Sequence, residues 1–449
     1  MTLTTTIEDQ IQLAEQHLQQ GSIPAAFQLY SMILSGNPQH EPTLLRLGMM
    51  SYQYRQFQAA QMLLNKVLEV NPSNTLALFH LARINFDTHQ VPLAVQHLEK
   101  LMALDPQNYV TYSTMLSAAL DLALIQQKRN LASEYLFEHP PLMFNRLQIE
   151  VTTWCNLKCA GCPRTIDIEK NAWKNVHMPL ERFQTLLQNL PPSNILCMQG
   201  VGESSLHPDF IDMVRFASEL RKYSIITMNS NALAKPVDYY ERLRDAGLGH
   251  ISISVDSFDP VIAEACRSGT KTDKLLERLK QIYALFPGMA ATIVVSKRNI
   301  QDVPNTLRVL NGIGAMEVEL QALIVYDPDK GEFGNAPFAL DASDRAFLKQ
   351  LKHQSMIDFP NLTLLYLSPD EAMPEGNMRC SRPFRSPYVT AEGYLTPCCT
   401  CEDASVLGYA NVSTTPLEEV WRSAPVQAWL RDYVKQPAAI CNGCCFYTG

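Results

Sequence analysis

Cysteine is the residue type that could do chemistry here, and its spacing is uneven. The 449-residue sequence holds 12 cysteines, none before Cys155. Cys155, Cys159 and Cys162 fall within one short CxxxCxxC segment, and Cys380, Cys398, Cys399, Cys401, Cys441, Cys444 and Cys445 crowd the end, while Cys197 and Cys266 stand alone. Three thiolates this close can hold three irons of a [4Fe–4S] cube and leave one iron open, whereas a closed structural zinc site normally wants four ligands. No fourth cysteine lies near the first three. A disulfide framework staples small secreted domains that lack a sufficient core. This chain is long, and Met1 to Gln20 is polar and Gln-rich, unlike a secretory signal. The expectation is metal or redox chemistry in a cytoplasmic protein.

The elements that must position these thiols can be read from the hydrophobic pattern. After Pro140–Pro141, short apolar runs at 147–154, 194–199, 224–228, 250–255, 291–296 and 316–322 alternate with helix-like stretches at 208–221, 238–246, 273–284 and 303–310. Strands alternating with helices argue for βα units and a parallel sheet. Six such strands suit an open partial barrel, with the site at their C-terminal ends. The CxxxCxxC segment follows the first strand. Gly200–Glu203, Asn229–Asn231 and Ser254–Asp256 end the next three, with Arg267 just beyond.

The first third has a different period. Pro38, Pro72 and Pro106 are spaced by 34 residues, each after Asn or Asp; Ala26, Ala60 and Ala94 keep that spacing, as do Ala14, Gly48 and Ala82, each preceded by Leu. Small residues let antiparallel helices approach closely, and Asx-Pro stops the second helix of each pair. A fourth stretch, 107–140, keeps the proline phase but has Lys128 in the Ala column and reads as a cap. The pattern resembles the tetratricopeptide repeat (TPR) family, which implies a helical solenoid that docks peptides or proteins.

Composition narrows the function classes. Hydrophobic residues make up 46% and charged ones 18%, enough for real cores and against wholesale disorder. Length suggests roughly two or three domains. The net charge of −8 argues against broad nucleic-acid or anionic-membrane binding. No apolar run reaches the roughly 18 residues of a membrane span.

The CxxxCxxC segment after strand one, with the later strand ends, resembles the radical S-adenosylmethionine (SAM) superfamily over about residues 145–325. The resemblance implies a partial (βα)6 barrel and a [4Fe–4S] cluster on Cys155, Cys159 and Cys162, whose open iron chelates SAM. One-electron reduction by an external flavodoxin- or ferredoxin-like donor then cleaves SAM to a 5′-deoxyadenosyl radical that abstracts a substrate hydrogen. It further implies SAM contacts from Gly200, Gly202, Glu203, Asn229, Asn231, Ser254 and Asp256, the glycines letting the backbone approach the ligand closely, with Arg267 on the SAM carboxylate. Gly161 stands where many members carry an aromatic residue or Met, so the adenine needs another apolar surface, such as Ile293 or Leu323. Cys266 is a candidate hydrogen-atom donor, and a small buried core residue is the plainer reading. His207 reads as a hydrogen-bonded loop residue.

The terminal cysteines, the hairpin 388–396 turning at Glu392–Gly393, a helix near 417–434, Leu407–Gly408 and Glu419–Trp421 resemble the SPASM extension of radical SAM enzymes. That implies a small α+β domain with one auxiliary [4Fe–4S] cluster, its ligands Cys380, Cys398, Cys441 and Cys444, with Cys399, Cys401 and Cys445 as understudies. A four-Cys zinc site is the structural alternative. The expected organisation is multidomain: an all-α TPR solenoid at 1–140, the radical SAM barrel at 141–330, a helix–strand connection at 331–379 and the SPASM domain at 380–449. The expected substrate is a peptide or protein docked by the repeats. The alternatives are a small molecule such as a sugar or nucleoside, and a non-catalytic zinc-bound adaptor.

Overall fold

A computed structural model describes residues 6–105, 108, 111–112, 115–116, 141, 143–169, 171–324, 336–367, 380, 382–400, 409–435, 441 and 444. The chain divides into two units, Met1–Ser133 and Glu134–Gly449.

The first unit contains three helical hairpins: α1 (Ile7–Gln19) with α2 (Ile23–Gly36), α3 (Glu41–Gln53) with α4 (Phe57–Val70), and α5 (Thr75–Asp87) with α6 (Val91–Leu104). The 34-residue period of the sequence is a period of the backbone. Gly21, Arg55 and His89 close the turn within each hairpin at φ of 76°, 58° and 60°. Asn37, Asn71 and Asp105 end each second helix at φ of −138°, −135° and −137°. Ala14, Ala26, Ala60, Ala82 and Ala94 are fully buried, so each small-residue column lies where two helices meet. Glu15 of α1 links the layers: it accepts from Tyr30 Oη of α2 at 2.5 Å and from Arg46 Nη2 of α3 at 2.7 Å. Most of the proposed fourth stretch lies outside the described residues.

The second unit is built on a ten-stranded sheet. Its order is β12 (Ala410–Asn411), β11 (Tyr394–Thr396), β10 (Tyr388–Val389), β1 (Phe144–Ile149), β3 (Ser193–Cys197), β4 (Tyr223–Ser230), β5 (His250–Ser254), β7 (Ala290–Val295), β8 (Glu317–Ala322) and β9 (Thr363–Leu367). The run from β10 through β1 to β9 is parallel throughout; β11 and β12 are antiparallel. A separate two-stranded ladder joins β2 (Lys158–Cys159) to β6 (Arg267–Ser268). The helices are α7 (Pro163–Glu169), α8 (Leu180–Asn189), α9 (Phe210–Glu219), α10 (Val237–Asp245), α11 (Pro260–Cys266), α12 (Thr272–Leu285), α13 (Val303–Gly312), α14 (Ala342–Asp358), α15 (Arg382–Arg385), α16 (Leu417–Arg422) and α17 (Ala424–Lys435).

Central strands such as Ala290–Val295 are apolar but for Thr292 because both faces of a parallel sheet are covered. Ile293, Val295, Leu307, Leu320, Leu348 and Tyr366 form one buried cluster on this half of the sheet. Three details depart from the sequence reading. The first strand ends at Ile149 rather than 154, because Val151 and Thr153 pair with Met178 and Val176 instead of with a sheet neighbour. The 331–379 connection is a helix and a strand as expected, α14 and β9, but β9 pairs parallel with the edge of β8 and so extends the sheet beyond the six expected strands. The helix expected near 417–434 is broken at Ser423 into α16 and α17. Pro425 cannot continue a helix from α16, and the Trp421 carbonyl instead accepts from Gln427 Nε2 at 2.8 Å. Among the described residues no helix is long and apolar enough to cross a membrane.

A Cβ on buried Gly48 would sit 2.8 Å from Leu64 Cδ2, whereas one on exposed Gly36 would meet nothing within 4 Å. Gly48→Val is expected to destabilise the helical unit by about 1–3 kcal/mol. Gly36→Ala should stabilise it by about 0.5 kcal/mol. Thermal unfolding followed by circular dichroism checks both signs.

Candidate active site

The C-terminal strand ends open into a cavity of about 310 Å³. Cys155, Cys159, Cys162, Gly200, Gly202, Glu203, Asn229, Asn231, Ser254, Asp256, Cys266 and Arg267 all line it. Cys197 does not; it is buried on β3, where Arg146 Nη1 approaches its sulfur at 3.7 Å.

The cysteine loop is held from two sides. On one, the β2–β6 ladder pairs Cys159 with Arg267, and Ala160 N donates to Cys266 O at 2.9 Å. On the other, buried Arg164 of α7 reaches back, donating from Nε to Thr153 O at 3.0 Å and from Nη1 to Leu157 O at 3.4 Å. The sequence reading missed Arg164; its place two residues after Cys162 is the only signal it gave. Burial pushes the Cys155 thiol up to about 11 and also raises Cys159, against the lowering charge of Arg267. Among the described residues no three His, Cys, Asp or Glu side chains are drawn together around a single ion position. A cube does not require that, because each thiolate binds a different iron.

The two glycines after β3 have a reason beyond the one expected. Close approach of backbone to ligand was the expectation. The structure shows close approach to the protein itself. A Cβ on Gly200 would lie 2.3 Å from Glu150 Cγ, and one on Gly202 would lie 2.3 Å from Thr152 O. The loop is thus pressed against the end of β1 before any ligand is considered. Glu150, which the sequence reading also missed, is buried beneath it. Its Oε1 accepts from Val201 N at 2.9 Å and its Oε2 from Ala391 N at 3.3 Å. Burial raises its carboxyl to about 7 even though both amides favour the charged form.

Glu203 lines the cavity, but its oxygens already have protein donors. Oε1 accepts from Ser205 Oγ at 2.6 Å and Ser230 Oγ at 2.8 Å, and Oε2 from Asn231 N at 2.8 Å. The carboxylate therefore ties the glycine loop to the end of β4. Asn231 in turn donates from Nδ2 to Asn156 Oδ1 at 2.9 Å, reaching into the cysteine loop.

Asp256 and Arg267, expected to act separately, meet each other. Arg267 Nε donates to Asp256 Oδ2 at 2.7 Å and Nη2 to Oδ1 at 3.2 Å. The two-pronged face that could clamp a ligand carboxylate is paired with Asp256 here. Cys266 sits at the C-terminus of α11, and burial, with the charge of Asp256, holds its thiol up at about 12. Of the two suggested adenine surfaces, Ile293 is excluded: it points into the core cluster, and its strand neighbour Val294 faces the cavity by the period-two alternation. Leu323 does line the cavity, beside Ile324 and Phe338. Arg298, unforeseen in the sequence, also lines it and packs over the Phe338 ring at 3.6 Å. His207 is a satisfied loop residue: its Nδ1 accepts from Asp209 N at 3.0 Å, leaving Nε2 to donate to Met178 O at 2.8 Å.

In the C-terminal part, Arg382 Nη1 lies 3.5 Å from Cys399 Sγ, and its guanidinium interacts electrostatically with the thiols of Cys380, Cys398 and Cys444 as well. Burial raises the thiols of Cys380 and Cys398. Cys441 and Cys444 are joined by a backbone hydrogen bond of 3.2 Å from Cys444 N to Cys441 O. Cys401, Cys445 and Leu407–Gly408 lie outside the described residues.

Comparison with known proteins matches this geometry from both ends. The sequence profile of the Radical SAM superfamily matches residues 149–310, and that of the SPASM iron-sulfur cluster-binding domain matches residues 380–445. The chain is a radical SAM enzyme with a SPASM domain. It is 24% identical over 313 residues to the PqqA peptide cyclase of Methylorubrum extorquens, covering 66% of this chain and 77% of that one. It is 30% identical over 182 residues to the GTP 3′,8-cyclase of Peptoclostridium acidaminophilum, covering 39% and 55%. In fold it is similar to Streptococcus suis SuiB bound to precursor peptide SuiA, with a TM-score of 0.53 at 15% identity over 75% of each chain. It is likewise similar to anSMEcpe with bound AdoMet and a peptide, with a TM-score of 0.51 at 15% identity over 68% of this chain and 88% of that one.

The radical SAM domain implies a [4Fe–4S] cluster and SAM, and the SPASM domain implies auxiliary iron–sulfur ligation. The donors fit. Three thiols line a cavity with room beside them, and their burial disfavours bare thiolates, so metal coordination is what would deprotonate them.

Glu150 gives this site a pH signature. Its folded carboxyl titrates near 7 against an ordinary 4.5, so between those values the folded state holds a proton that the unfolded chain has lost. Stability therefore falls as pH rises from about 4.5 to about 7. Glu150→Gln removes that contribution. Urea midpoints at pH 5 and pH 7 should differ less in the variant than in the wild type.

Proposed function

We propose that this radical SAM enzyme acts on a peptide or protein, forming a crosslink, an epimer or an oxidised residue. The observation that carries the proposal is the similarity to PqqA peptide cyclase, whose 313-residue alignment takes in 77% of that enzyme. The likeness in fold to structures of SuiB with SuiA and anSMEcpe with a peptide accords with it. The N-terminal hairpins, read as three TPR units with a cap, would dock the substrate. Their groove between α2 and α3, lined by Phe27, Met50 and Tyr54, offers an apolar surface. Residues 1–140 carry seven basic and eleven acidic side chains, which favours a mildly basic partner. The 30% identity to GTP 3′,8-cyclase supports a second reading, a small-molecule substrate with the repeats serving assembly.

In the proposed site, Cys155, Cys159 and Cys162 hold the open-site cluster. Bound there together, cluster and SAM supply reductive cleavage and hydrogen abstraction, driven by a flavodoxin- or ferredoxin-like donor. The chain's own residues shape the chamber. Glu150 and Glu203 fix the glycine loop, whose backbone, with Asn229, Asn231 and Ser254, presents polar groups to SAM. Leu323 and Ile324 offer apolar surface for the adenine. Cys266 keeps its thiol protonated, the form a hydrogen-atom donor requires. Cys380, Cys398, Cys441 and Cys444 hold one auxiliary [4Fe–4S] cluster. The protein works in the cytoplasm, with no nucleic acid or membrane partner.

Anaerobic reconstitution should yield about eight irons per chain, and fewer than about six would sink the two-cluster reading. With dithionite, wild type should release 5′-deoxyadenosine from SAM, and Cys155→Ala, Cys159→Ala and Cys162→Ala should each release none. Deleting residues 1–140 should abolish turnover of a candidate peptide while leaving this uncoupled release intact. Unchanged peptide turnover would rule out docking by the repeats.

A further inference from the structure

We propose that Arg267 is a positioning residue that sets the reduction potential of the cluster on Cys155, Cys159 and Cys162 by donating an N–H to the Cys159 sulfur. The inference rests on those three cysteines being the cluster ligands.

Five observations converge on it. The β2–β6 ladder places Arg267 directly opposite Cys159, so the two backbones cannot drift apart without breaking that pairing. The guanidinium is oriented by Asp256, which takes Nε at 2.7 Å and Nη2 at 3.2 Å. Asp256 is itself held by Val294 N, which donates to Oδ1 at 3.0 Å. The remaining nitrogen, Nη1, is thereby aimed at Cys159 Sγ, 3.9 Å away. The Arg267 and Asp256 side chains are only 15% and 7% exposed, so solvent screens the interaction poorly.

The chemistry follows from charge. Reduction brings one electron from the external donor onto the iron–sulfur assembly and makes or breaks no bond in the protein. A fixed N–H and a permanent positive charge beside one ligating sulfur stabilise that added negative charge, and hydrogen bonds to the sulfurs are among the factors that set such potentials. Arginine suits the task because it stays charged throughout and its planar fork can be anchored by one edge while a nitrogen points elsewhere. A lysine could supply the charge without that fixed direction. Asp256 offsets part of the charge at longer range, and its main part here is to hold the fork.

The test is a redox titration of anaerobically reconstituted enzyme, followed by electron paramagnetic resonance. The signal to follow is the one that changes shape when SAM is added, which separates this cluster from the auxiliary one. In Arg267→Gln, the ratio of reduced to oxidised cluster at the wild-type midpoint should fall about tenfold, equal to ~59 mV for one electron. Arg267→Lys should fall by less, about threefold, at wild-type iron content. If Arg267→Gln loads poorly, Arg267→Lys alone decides the matter. An unchanged midpoint overturns the proposal, and weakened SAM binding at an unchanged midpoint would make Arg267 a SAM ligand instead. Loss of iron from both variants also overturns it, in favour of a loop-holding role. A wild type that binds no such cluster would instead refute the ligand assignment on which the inference rests.

Discussion

The central constraint on this molecule is the burial of negative charge at one rim of a parallel sheet. Cys155, Cys159, Cys162, Glu203 and Asp256 all line one cavity. An acid removed from water without partners goes neutral rather than staying charged, and a ligand thiol must be charged to bind iron. Burial still raises Glu203, Cys155 and Cys159, and nearby donors and cations oppose it. Glu203 gathers two hydroxyls and an amide. Asp256 receives a two-pronged guanidinium and an amide. Arg164 and Arg267 stand on either side of the cysteine loop. Much of the local architecture follows: the β2–β6 ladder brings Arg267 to the loop, α7 begins directly after Cys162 so that Arg164 can fold back, and β4 ends in Ser230 and Asn231 where Glu203 needs donors.

The C-terminal domain is tied into the same arrangement. Its hairpin extends the sheet from the open edge of β1, so backbone pairing is continuous from the barrel strands into β10 and β11. Glu150 adds a side-chain link, with one oxygen on the glycine loop and the other on the turn that follows β10. A carboxylate bridging two amides in a dry setting is directional, and it fixes the hairpin turn relative to the cavity wall. At Arg382 the C-terminal part repeats, in a second place, the approach of a guanidinium to a cysteine sulfur.

Elements with a strong period or a dense motif were legible in the sequence. The 34-residue repeat came through because close helix packing selects a small residue at the same place in each copy, as at Ala26, Ala60 and Ala94, and each second helix stops at Asn37, Asn71 or Asp105 before a proline. Strands such as Ala290–Val295 came through because burial on both faces leaves a run that is apolar but for Thr292. The cavity-lining residues came through because each follows a strand whose end could be placed. What did not come through were groups whose importance depends on three-dimensional neighbours. Glu150, Arg164 and Arg298 look like ordinary charged residues until the fold surrounds them. The pairing of Asp256 with Arg267 was invisible for the same reason: eleven positions apart, they are joined by the turn of α11 into β6. The choice of Ile293 for the cavity failed on a one-residue phase, since alternation sends that side chain to the core and Val294 to the site.

The two glycines bear on how such a site can be ready before its ligand arrives. A loop that stayed open for a ligand to press against would fluctuate, and ordering it would cost free energy at binding. Here Gly200 and Gly202 allow the loop to lie against Glu150 and the Thr152 carbonyl at distances no side chain would permit. Glu203 N then donates to Trp154 O at 2.7 Å, and Val201 N to Glu150. With those amides already bonded to the protein, the loop is ordered in advance of binding. This is preorganisation of the kind that lets polar groups stabilise a charged partner without a reorganisation cost. The absent Cβ atoms thus bring the loop's backbone onto the end of β1, beside the first cysteine of the CxxxCxxC segment.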